Sequence, residues 1–405
     1  MANQTNQSAD SIFTTDFSLF KLVKKLLQKL NPREREILIR RFGLNDPKKQ
    51  TLEQIGSSYG LTRERVRQIE AVGLKKLQAL RDMEKQLILL RDALDDLLAD
   101  NGGLMDKEYL ESSFLALSHE GLKESQRPIY RNNFDFLVSK VLVDDFDPVT
   151  SDLFNDAVKL KYQAIDHLEK LAQELVEQVR QTRRLFLLED LIKLSFELDV
   201  FKDNADKLVS ANKFDLASAL AGYENFQDSQ LINKYKPIYS VLRATRHLEE
   251  NKFGVWGEAD LPEIRPRTIA DKIYLVLKNA DQPLHFREIT ERINQIFTDK
   301  LANQATVHNE LILDSRYVLV GRGVYALKES GYQAGKAVDI VTRILRQARH
   351  PLTKEEITKK VLEQRLLKPT TINLILSNKQ LFQKLPDGTY TLKEYIAHWF
   401  WLFFY

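Results

Sequence analysis

Two short amphipathic helices joined by a glycine turn are encoded in residues 51–80, and this pattern constrains the fold more than any other part of the chain. The segment from Thr51 to Gly60 predicts the first helix, in which the small Gly56 lets two helices approach and Gly60 permits the turn. Thr62 is a suitable N-cap for a second helix within residues 61–80. Its inward stripe has spacings of three and four and consists of Val66, Ile69, Gly73, Leu77 and Leu80. The pattern therefore predicts a helix-turn-helix.

A further helix is expected directly before this pair. Asn31 is placed as N-cap, Pro32 occupies the first helical position, and Glu34 can complete a capping box. Gly43 supplies the backbone freedom that a helix end needs. We expect a loop over residues 45–50, between this helix and the helix-turn-helix.

The charge along the chain is strongly uneven, although the net charge is only +3. Residues 21–81 contain 16 Lys and Arg against 6 Asp and Glu, a balance of +10. Residues 82–160 contain 8 basic and 17 acidic residues, a balance of −9. A polyanion would be attracted to the first segment and repelled by the second. One hypothesis is that the acidic segment masks the basic face and so inhibits binding.

The outward face of the second helix carries side chains that can read base edges in the major groove. Arg matches guanine in a bidentate way, Gln matches adenine, and Glu can accept a hydrogen bond from cytosine. The candidates for base contacts are Arg63, Glu64, Arg67 and Gln68, with Thr62, Arg65, Lys75 and Lys76 as flanking or phosphate contacts. The alternative interpretation is an ordinary solvated helix face without a ligand.

The residues LNPREREILIRRFGL, followed by TLEQIGSSYGLTRERVRQIEAVGLKKLQAL, resemble region 4 of housekeeping-type RNA polymerase sigma factors, over about residues 28–81. That resemblance implies a four-helix unit that reads the upstream promoter hexamer and docks on the polymerase flap. It places Arg63, Glu64, Arg67 and Gln68 at base-reading positions, and Thr62 and Arg65 at neighbouring backbone positions. A complete sigma factor also has an aromatic-rich region that captures the melted strand. We find no replacement for it here, so we expect a regulator that uses a borrowed promoter-reading module.

The carboxyl-terminal half predicts two tandem units. In the first unit, residues 267–331, helices precede a hairpin in which Gly321, Arg322 and Gly323 separate two β-prone runs. A second copy over residues 335–395 repeats this order at an offset near 65 residues. The first copy is similar to HARE-type winged helices, found in the delta subunit of bacterial RNA polymerase and in some chromatin proteins. Candidate wing contacts are Arg316, Arg322 and Lys328, with protein packing as the alternative role for both wings.

The remaining segments carry weaker signals. We expect a flexible leader over residues 1–17, the sigma-like module over 18–81, and a mainly helical middle over 82–266. For the middle, two interpretations stay open, degenerate winged-helix units and a helical spacer. The aromatic residues 396–405 are too short to cross a bilayer as a helix, so we expect a packed tail or a chain-end feature, with a docking role as the other interpretation.

Taken together, the sequence predicts a mainly α fold with a helix-turn-helix, a helical middle and tandem winged helices with short β wings. The chain has no Cys, shows no metal-ligand spacing or phosphate-cradling glycine loop, and offers no constellation for catalysis. We therefore expect no enzyme activity, cofactor, metal or membrane span, and a cytoplasmic location. The expected partners are double-stranded promoter DNA and the RNA polymerase core. The alternative is a delta-like polymerase accessory protein that acts mainly through protein contacts.

Overall fold

The computed structural model describes residues 17–221, 226–332, 335–364 and 367–394, and it is mainly helical with small antiparallel sheets. The chain divides into two compact units, Met1–Asp260 and Leu261–Tyr405. The expectations for residues 1–16 of the leader and for the tail 396–405 lie outside the described residues. No described helix is long and apolar enough to cross a membrane.

The amino-terminal module contains four helices, and the residues that cap α2 and α4 are those predicted from the sequence. The helices are α1 (Leu19–Leu27), α2 (Pro32–Phe42), α3 (Leu52–Tyr59) and α4 (Arg63–Gln78). Asn31 and Glu34 form the predicted capping box of α2, and Gly43 ends that helix with a left-handed φ of 67°. Thr62 caps α4 by accepting a hydrogen bond from the Arg65 backbone N–H at 3.2 Å. The predicted helix boundaries differ from the observed ones by no more than two residues.

Residues 85–160 follow as the first of several units with a common element order, and we call them the first repeat. It contains α5 (Lys85–Asp100), β1 (Leu104–Asp106), α6 (Lys107–Ser118), α7 (Arg127–Phe136), β2 (Phe146–Val149) and β3 (Ala157–Leu160). A short π-helical segment, Leu137–Val141, extends α7. Strand β3 lies between β1 and β2, and both pairings are antiparallel.

The second repeat, residues 166–258, has the same order with an insertion before its third main helix. It contains α8 (Asp166–Thr182), α9 (Leu188–Ser195), the short inserted helices α10 (Asp199–Asp203), α11 (Leu216–Ala219) and α12 (Ser229–Lys234), then α13 (Lys236–Ala244), β4 (Leu248–Glu250) and β5 (Trp256–Glu258). The first strand is reduced to a bridge between Phe186 and Trp256. Strand β5 again lies in the middle, between that bridge and β4.

The third and fourth repeats, residues 269–327 and 337–392, make up most of the second compact unit. The third contains α14 (Ile269–Lys278), β6 (Leu284–His285), α15 (Phe286–Ile296), α16 (Gln304–Leu313), β7 (Tyr317–Gly321) and β8 (Val324–Leu327). The fourth contains α17 (Ala337–Ala348), α18 (Lys354–Leu362), α19 (Pro369–Leu376), β9 (Phe382–Lys384) and β10 (Tyr390–Leu392). The predicted hairpin around Arg322 is confirmed by the antiparallel pairing of β7 with β8.

All four repeats of the described chain therefore share one topology: a helix, a first strand or bridge, two helices, and a hairpin. In each repeat the last strand pairs with both other strands, as the Leu352–Tyr390 bridge shows for the fourth. The sequence indicated this order only for residues 267–395. The structure extends it to residues 85–258, within the mainly helical middle for which degenerate winged-helix units and a helical spacer were the two open interpretations.

The apolar core of the first unit continues across residue 81, where the sequence placed a boundary. Leu22 and Leu26 of α1, Leu38 of α2 and Leu77 of α4 belong to the same buried cluster as residues of the first two repeats, up to Trp256. The amino-terminal module thus packs directly against the first repeat. The domain limits proposed from sequence stay predictions, but packing across this limit is continuous.

Candidate nucleic-acid interface

A small core of its own holds the helix-turn-helix together. Ile37, Ile55 and Val66 come from α2, α3 and α4, and all three side chains are fully buried. Gly56 allows the close approach of α3 to the turn, because a Cβ at this position would lie 2.7 Å from the Leu61 carbonyl oxygen. That distance is shorter than van der Waals contact, so any side chain at position 56 would displace the turn that joins α3 to α4. The role of Gly56 predicted from sequence agrees with this geometry.

The six residues expected to face DNA at the start of α4 all lie on the exposed surface. They are Thr62, Arg63, Glu64, Arg65, Arg67 and Gln68. Val66, which lies between them in sequence, points the other way into the small core. The start of α4 therefore presents one polar face to solvent. Whether this face reads bases stays a prediction.

An ion pair organises the centre of this face. The Arg67 guanidinium donates two hydrogen bonds to the Glu64 carboxylate, with Nε–Oε2 at 2.8 Å and Nη2–Oε1 at 2.7 Å. The hydrogen bond from Arg67 lowers the pKa of Glu64, and the carboxylate stays ionised at neutral pH. Both side chains remain more than half exposed. The pair holds the Arg67 fork in one orientation without burying it.

Gln68 is linked to the same network from the next turn of the helix. Its side-chain oxygen accepts a hydrogen bond from Arg65 Nη1 at 3.1 Å, and its nitrogen donates to Glu64 Oε1 at 3.5 Å. These contacts are solvent-exposed, so they can be exchanged for contacts to a ligand at small cost. The four side chains of the network can therefore act as one hydrogen-bonding surface.

The flanking cations predicted from sequence differ in their availability. Lys75 is exposed on α4 and has no ion-pair partner among the described residues. Lys76 forms an ion pair with the buried Glu34 carboxylate, with Nζ–Oε1 at 2.7 Å. Arg81, which lies beyond α4, pairs with Asp144 at 3.0 Å. Lys75 is thus better placed than Lys76 for a phosphate contact.

Two arginines outside the residues predicted from sequence extend the positive surface from α2. The guanidinium groups of Arg33 and Arg40 lie 5.8 Å and 5.2 Å from the centroid of the Tyr59 ring. Arg40 Nη1 also donates to Ser58 Oγ at 3.4 Å. Their spacing of seven residues, two helical turns, was the available signal that both lie on one face. Arg33 and Arg40 are additional candidates for phosphate contacts.

The first repeat contacts the module at the end of α2 and the residues that follow it. Asn133 of α7 is buried and donates to the Leu44 carbonyl at 2.9 Å, and its neighbour Asn132 donates to the Gly43 carbonyl at 3.1 Å. The rings of Phe42 and Phe136 pack with centroids 5.1 Å apart. These contacts fix the orientation of the helix-turn-helix relative to the first repeat.

The acidic residues of the first repeat reach only the edge of the basic module. The printed distances for pairs that cross from residues 82–160 to the module are 2.6 Å for Glu84 with Lys25, 3.7 Å for Asp135 with Lys49, and 3.2, 3.0 and 3.7 Å for Asp82, Asp144 and Asp145 with Arg81. Among the described residues, none of these pairs involves the exposed side chains at positions 62–68. The masking hypothesis drawn from the charge pattern therefore finds no support in these contacts.

The candidate wing residues of the third repeat occupy two different places. Arg322 lies at the exposed tip of the β7–β8 hairpin, between the two strands. Arg316 lies at its base, where it donates twice to Asp314 Oδ2, at 2.9 Å and 2.6 Å. The Lys328 backbone N–H donates to the Arg316 carbonyl at 2.9 Å, so Lys328 is also at the base. Arg322 is the one of the three that extends from the wing tip.

Metal binding is not indicated in the part of the chain that the structure describes, since no group of three His, Asp or Glu residues is placed to hold an ion. The described pockets are open surface grooves rather than enclosed cavities. In the first unit, the polar face of α4 is therefore the candidate site for a ligand, since its exposed side chains form one hydrogen-bonding network.

Comparison with known proteins identifies a family for part of the chain. Residues 26–79 match the family model described as Sigma-70, region 4. The RNA polymerase sigma factor SigA of Clostridium acetobutylicum is 43% identical over 84 residues, which are 20% of this chain and 21% of that protein. SigA of Nostoc sp. is 52% identical over 56 residues, 14% of each chain. SigA of Listeria monocytogenes is 41% identical over 76 residues, 18% of this chain and 20% of that protein.

The chain thus spans about a fifth or less of the length of these curated relatives. The similarity covers the helix-turn-helix and the helices that precede it. The family model confirms the sigma region 4 resemblance of residues 26–79.

Proposed function

We propose that this protein binds promoter DNA through residues 62–68 and acts in, or regulates, transcription initiation with a bacterial RNA polymerase. The single observation that carries the proposal is the exposed polar face of α4, which lies within the segment similar to sigma-70 region 4. A helix of this kind inserts its amino-terminal side chains into the major groove. The exposed pair Arg67 and Glu64 and the neighbouring Gln68 supply the groups that distinguish base pairs.

Exposed or partly exposed cations around this face support contacts with the DNA backbone, although Arg40 also pairs with Glu36 at 2.7 Å. Arg33, Arg40 and Lys75 lie on α2 and α4, and all three side chains reach solvent. Phosphate contacts position the protein without reading sequence. In this proposal Arg63, Glu64, Arg67 and Gln68 read bases, while Thr62, Arg65 and Lys75 position the backbone.

The third and fourth repeats are, in this proposal, the winged helices that the sequence predicted, and the first two are divergent copies of the same unit. Support comes from the element order and strand arrangement common to all four. In the first two repeats the third main helix is covered by other parts of the same unit. Helix α7 contacts the amino-terminal module, and α13 packs on β1. Those two repeats serve as a scaffold rather than as ligand-binding surfaces.

The second function that we propose is a contact between the third repeat and another protein. The candidate partner is the RNA polymerase core. The third helix of the repeat, α16, contains no Lys or Arg, and it exposes Ile312 and Leu313 at 61% and 80%. Leu319 on β7 is also exposed. Large exposed apolar side chains on neighbouring elements are typical of protein contacts rather than phosphate contacts.

Equilibrium binding of the full chain to two duplexes tests the first proposal. One duplex carries a sigma-type upstream promoter hexamer and the other carries the same bases scrambled, each over a range of salt concentrations. We expect preference for the hexamer, and we expect Arg67→Ala or Gln68→Ala to reduce that preference roughly 10- to 100-fold. Arg180→Ala is the matched control, because Arg180 is also an exposed helical arginine in an ion pair, with Glu258 at 2.9 Å.

Equal affinity of the intact chain for both duplexes, unchanged by either substitution, would refute base reading by α4. In that case retention of the chain on immobilised RNA polymerase core, weakened by Leu313→Asp, would favour the protein-contact function alone.

A further inference from the structure

The outer strand of the hairpin in the third repeat is an unprotected sheet edge. Strand β7 lies at the edge, because β8 lies between it and β6. It spans Tyr317–Gly321 and contains no charged residue and no proline. An edge strand presents unpaired backbone N–H and C=O groups, and proteins commonly protect such edges with charges, prolines or short strands. Strand β7 has none of these three protections.

The corresponding edge strands of the other three repeats are protected. Strand β2 contains Asp147 and Pro148, and a proline has no N–H to offer to a further strand. Strand β4 has three residues, of which two are glutamates. Strand β9 also has three residues and ends with the exposed Lys384. The open edge is therefore a property of the third repeat and not of the topology that the four repeats share.

The backbone groups of Leu319 point towards the free edge. The Lys328 N–H donates to the Arg316 carbonyl oxygen at 2.9 Å, so Arg316 faces β8. Residues of an antiparallel strand face its two sides alternately, so Tyr317 and Leu319 face outward. A β-bulge after Leu319 lies at the tip of the hairpin and leaves this part of the strand regular. The N–H and C=O of Leu319 therefore have no hydrogen-bond partner among the described residues.

Exposed apolar side chains lie close to this edge. Leu319 is 46% exposed, although it lies within a strand. Ile312 and Leu313, at the end of α16, are separated from β7 by one short turn, and both are exposed. An added strand would thus bury apolar surface as well as form backbone hydrogen bonds. Both contributions are typical of the binding of an extended peptide to a sheet edge.

The charges at the two ends of β7 further define the segment that fits. Arg322 lies at the exposed tip and forms no ion pair with another described residue. At the other end, the Arg316 guanidinium donates twice to Asp314 and is thereby neutralised. A segment that complements this edge has an apolar, β-prone run and a carboxylate at the end beside Arg322.

A second copy of this chain complements the edge less well. Two copies can pair β7 with β7 in antiparallel orientation about Leu319. This arrangement places Arg316 of one copy opposite Arg322 of the other, since each lies three residues from Leu319. Like charges directly opposite each other destabilise a pair of strands, so the charge pattern favours a different protein as the partner.

We infer that β7 pairs with an extended segment of another protein, which adds a fourth strand to the three-stranded sheet of the third repeat. The segment is apolar and β-prone, and it carries Asp or Glu beside Arg322. Main-chain hydrogen bonds to Leu319 supply affinity, and the exposed side chains around the edge supply selectivity. This inference rests on the protein contact proposed for the third repeat, and it specifies the mode of that contact and the chemistry of the partner.

A proline at position 319 tests the inference, because it removes an outward-facing N–H and leaves the hydrogen bonds between β7 and β8 in place. The probe is a random library of twelve-residue peptides displayed on phage. It is selected on the immobilised full chain and counter-selected on the Leu319→Pro variant. We expect enriched peptides to have alternating β-branched or aromatic residues and an acidic residue at one end.

A synthetic copy of an enriched peptide then gives the affinities. It should bind Leu319→Pro at least about 10-fold more weakly than the wild-type chain, because a backbone hydrogen bond is lost and the proline ring obstructs the added strand. Lys384→Pro is the matched control. Lys384 faces the free edge of β9, as the hydrogen bond from the Lys393 N–H to the Leu381 carbonyl oxygen shows. We expect wild-type affinity for this control.

Hydrogen exchange in the wild-type chain gives a test that does not depend on the folding of a variant. Amide exchange in the fragment that contains Leu319 should become slower when the peptide binds, whereas a contact through side chains alone would leave this N–H free to exchange. The inference would be overturned by a library that shows no enrichment against Leu319→Pro. Equal affinity of both chains, equal losses in Leu319→Pro and Lys384→Pro, or unchanged exchange at Leu319 would overturn it as well.

Two further measurements distinguish the partner from other occupants and separate this inference from the proposed function. Sedimentation that shows a dimer of the wild-type chain and a monomer of Leu319→Pro would overturn the inference, since a second copy would then occupy β7. Equal retention of the wild-type chain and Leu319→Pro on immobilised RNA polymerase core would also overturn it and leave the proposed function standing. No retention of the wild-type chain would refute the core as partner, while peptide binding that depends on Leu319 would still support the pairing of β7.

Discussion

The buried ion pair between Asp100 and Lys236 gives the sharpest prediction for the stability of the first unit. The exposed fraction of the two side chains is 1% and 0%, and Nζ lies 2.6 Å from Oδ2. Burial opposes ionisation of Asp100, but the hydrogen bonds from Lys236 and Ser210 and the backbone N–H of Lys213 hold its pKa below the usual value. The carboxylate also accepts from the Phe214 backbone N–H at 3.1 Å. One side chain thus joins α5, α13 and the inserted segment between them.

Replacement of Asp100 by Ala should be strongly destabilising. It leaves the Lys236 ammonium group buried with the Phe214 carbonyl as its remaining hydrogen-bond partner among the described residues. Loss of one partner of a buried ion pair costs about 3–5 kcal/mol. For a cooperative unit of 150–250 residues, this corresponds to a decrease in the melting temperature of roughly 6–20 °C. Thermal unfolding of the full chain, followed by circular dichroism, measures this change in the first unit's transition.

The matched comparison is the double variant Asp100→Leu/Lys236→Met, which removes both charges and keeps apolar volume. It should be much closer to the wild-type protein than Asp100→Ala, since replacement of a whole buried pair is often nearly neutral. The reasoning would be refuted if Asp100→Ala cost less than about 1 kcal/mol, or if the double variant were as unstable as the single one.

Three further predictions concern the first compact unit. Burial raises the pKa of Asp95 to about 6. The folded state therefore binds more protons than the unfolded state between pH 4 and 6, and the stability that depends on this group falls as the pH rises. Asp95→Asn should raise the melting temperature at pH 7.5 more than at pH 4.5, and an equal or opposite effect would contradict this. Gly56→Val should abolish binding to the hexamer duplex while most of the helical circular dichroism signal remains, because a Cβ at position 56 would lie 2.7 Å from the Leu61 carbonyl oxygen. Ser57→Ala is the control at an exposed neighbouring position. Wild-type affinity of the Gly56 variant for the duplex would disprove the argument that the turn requires glycine. Asn133→Ala should destabilise the first unit by about 1–3 kcal/mol, since it leaves a buried carbonyl unpaired, and an unchanged urea midpoint would argue against a fixed mounting of the module.

Local signals in the sequence were sufficient for the amino-terminal module. The capping box of Asn31 and Glu34, the N-cap Thr62 and the close approach at Gly56 all depend on residues within a few positions of each other. Such contacts follow from helical periodicity and from the chemistry of helix ends. The same holds for the hairpin around Arg322, whose strands are joined by a short turn.

Long-range pairing explains why the sequence left both degenerate winged-helix units and a helical spacer open for residues 82–266. In the second repeat the first strand is a single bridge from Phe186 to Trp256, and three short helices are inserted before α13. Neither feature leaves a regular period in the sequence. Packing of α13 on β1 joins residues more than 130 positions apart, as the hydrogen bond from Ser240 to the Leu104 carbonyl shows.

The sequence by itself determined the helix-turn-helix, the chemistry of residues 62–68, and the charge of each segment. Only the tertiary structure decided which of those charges are free. Lys76 is neutralised by the buried Glu34, whereas Lys75, one position earlier, remains available. Likewise, Arg316 pairs with Asp314, while Lys354 has no such partner among the described residues. The physical reason is that the attraction between charges depends on their distance and burial in the folded chain, and residue counts specify neither.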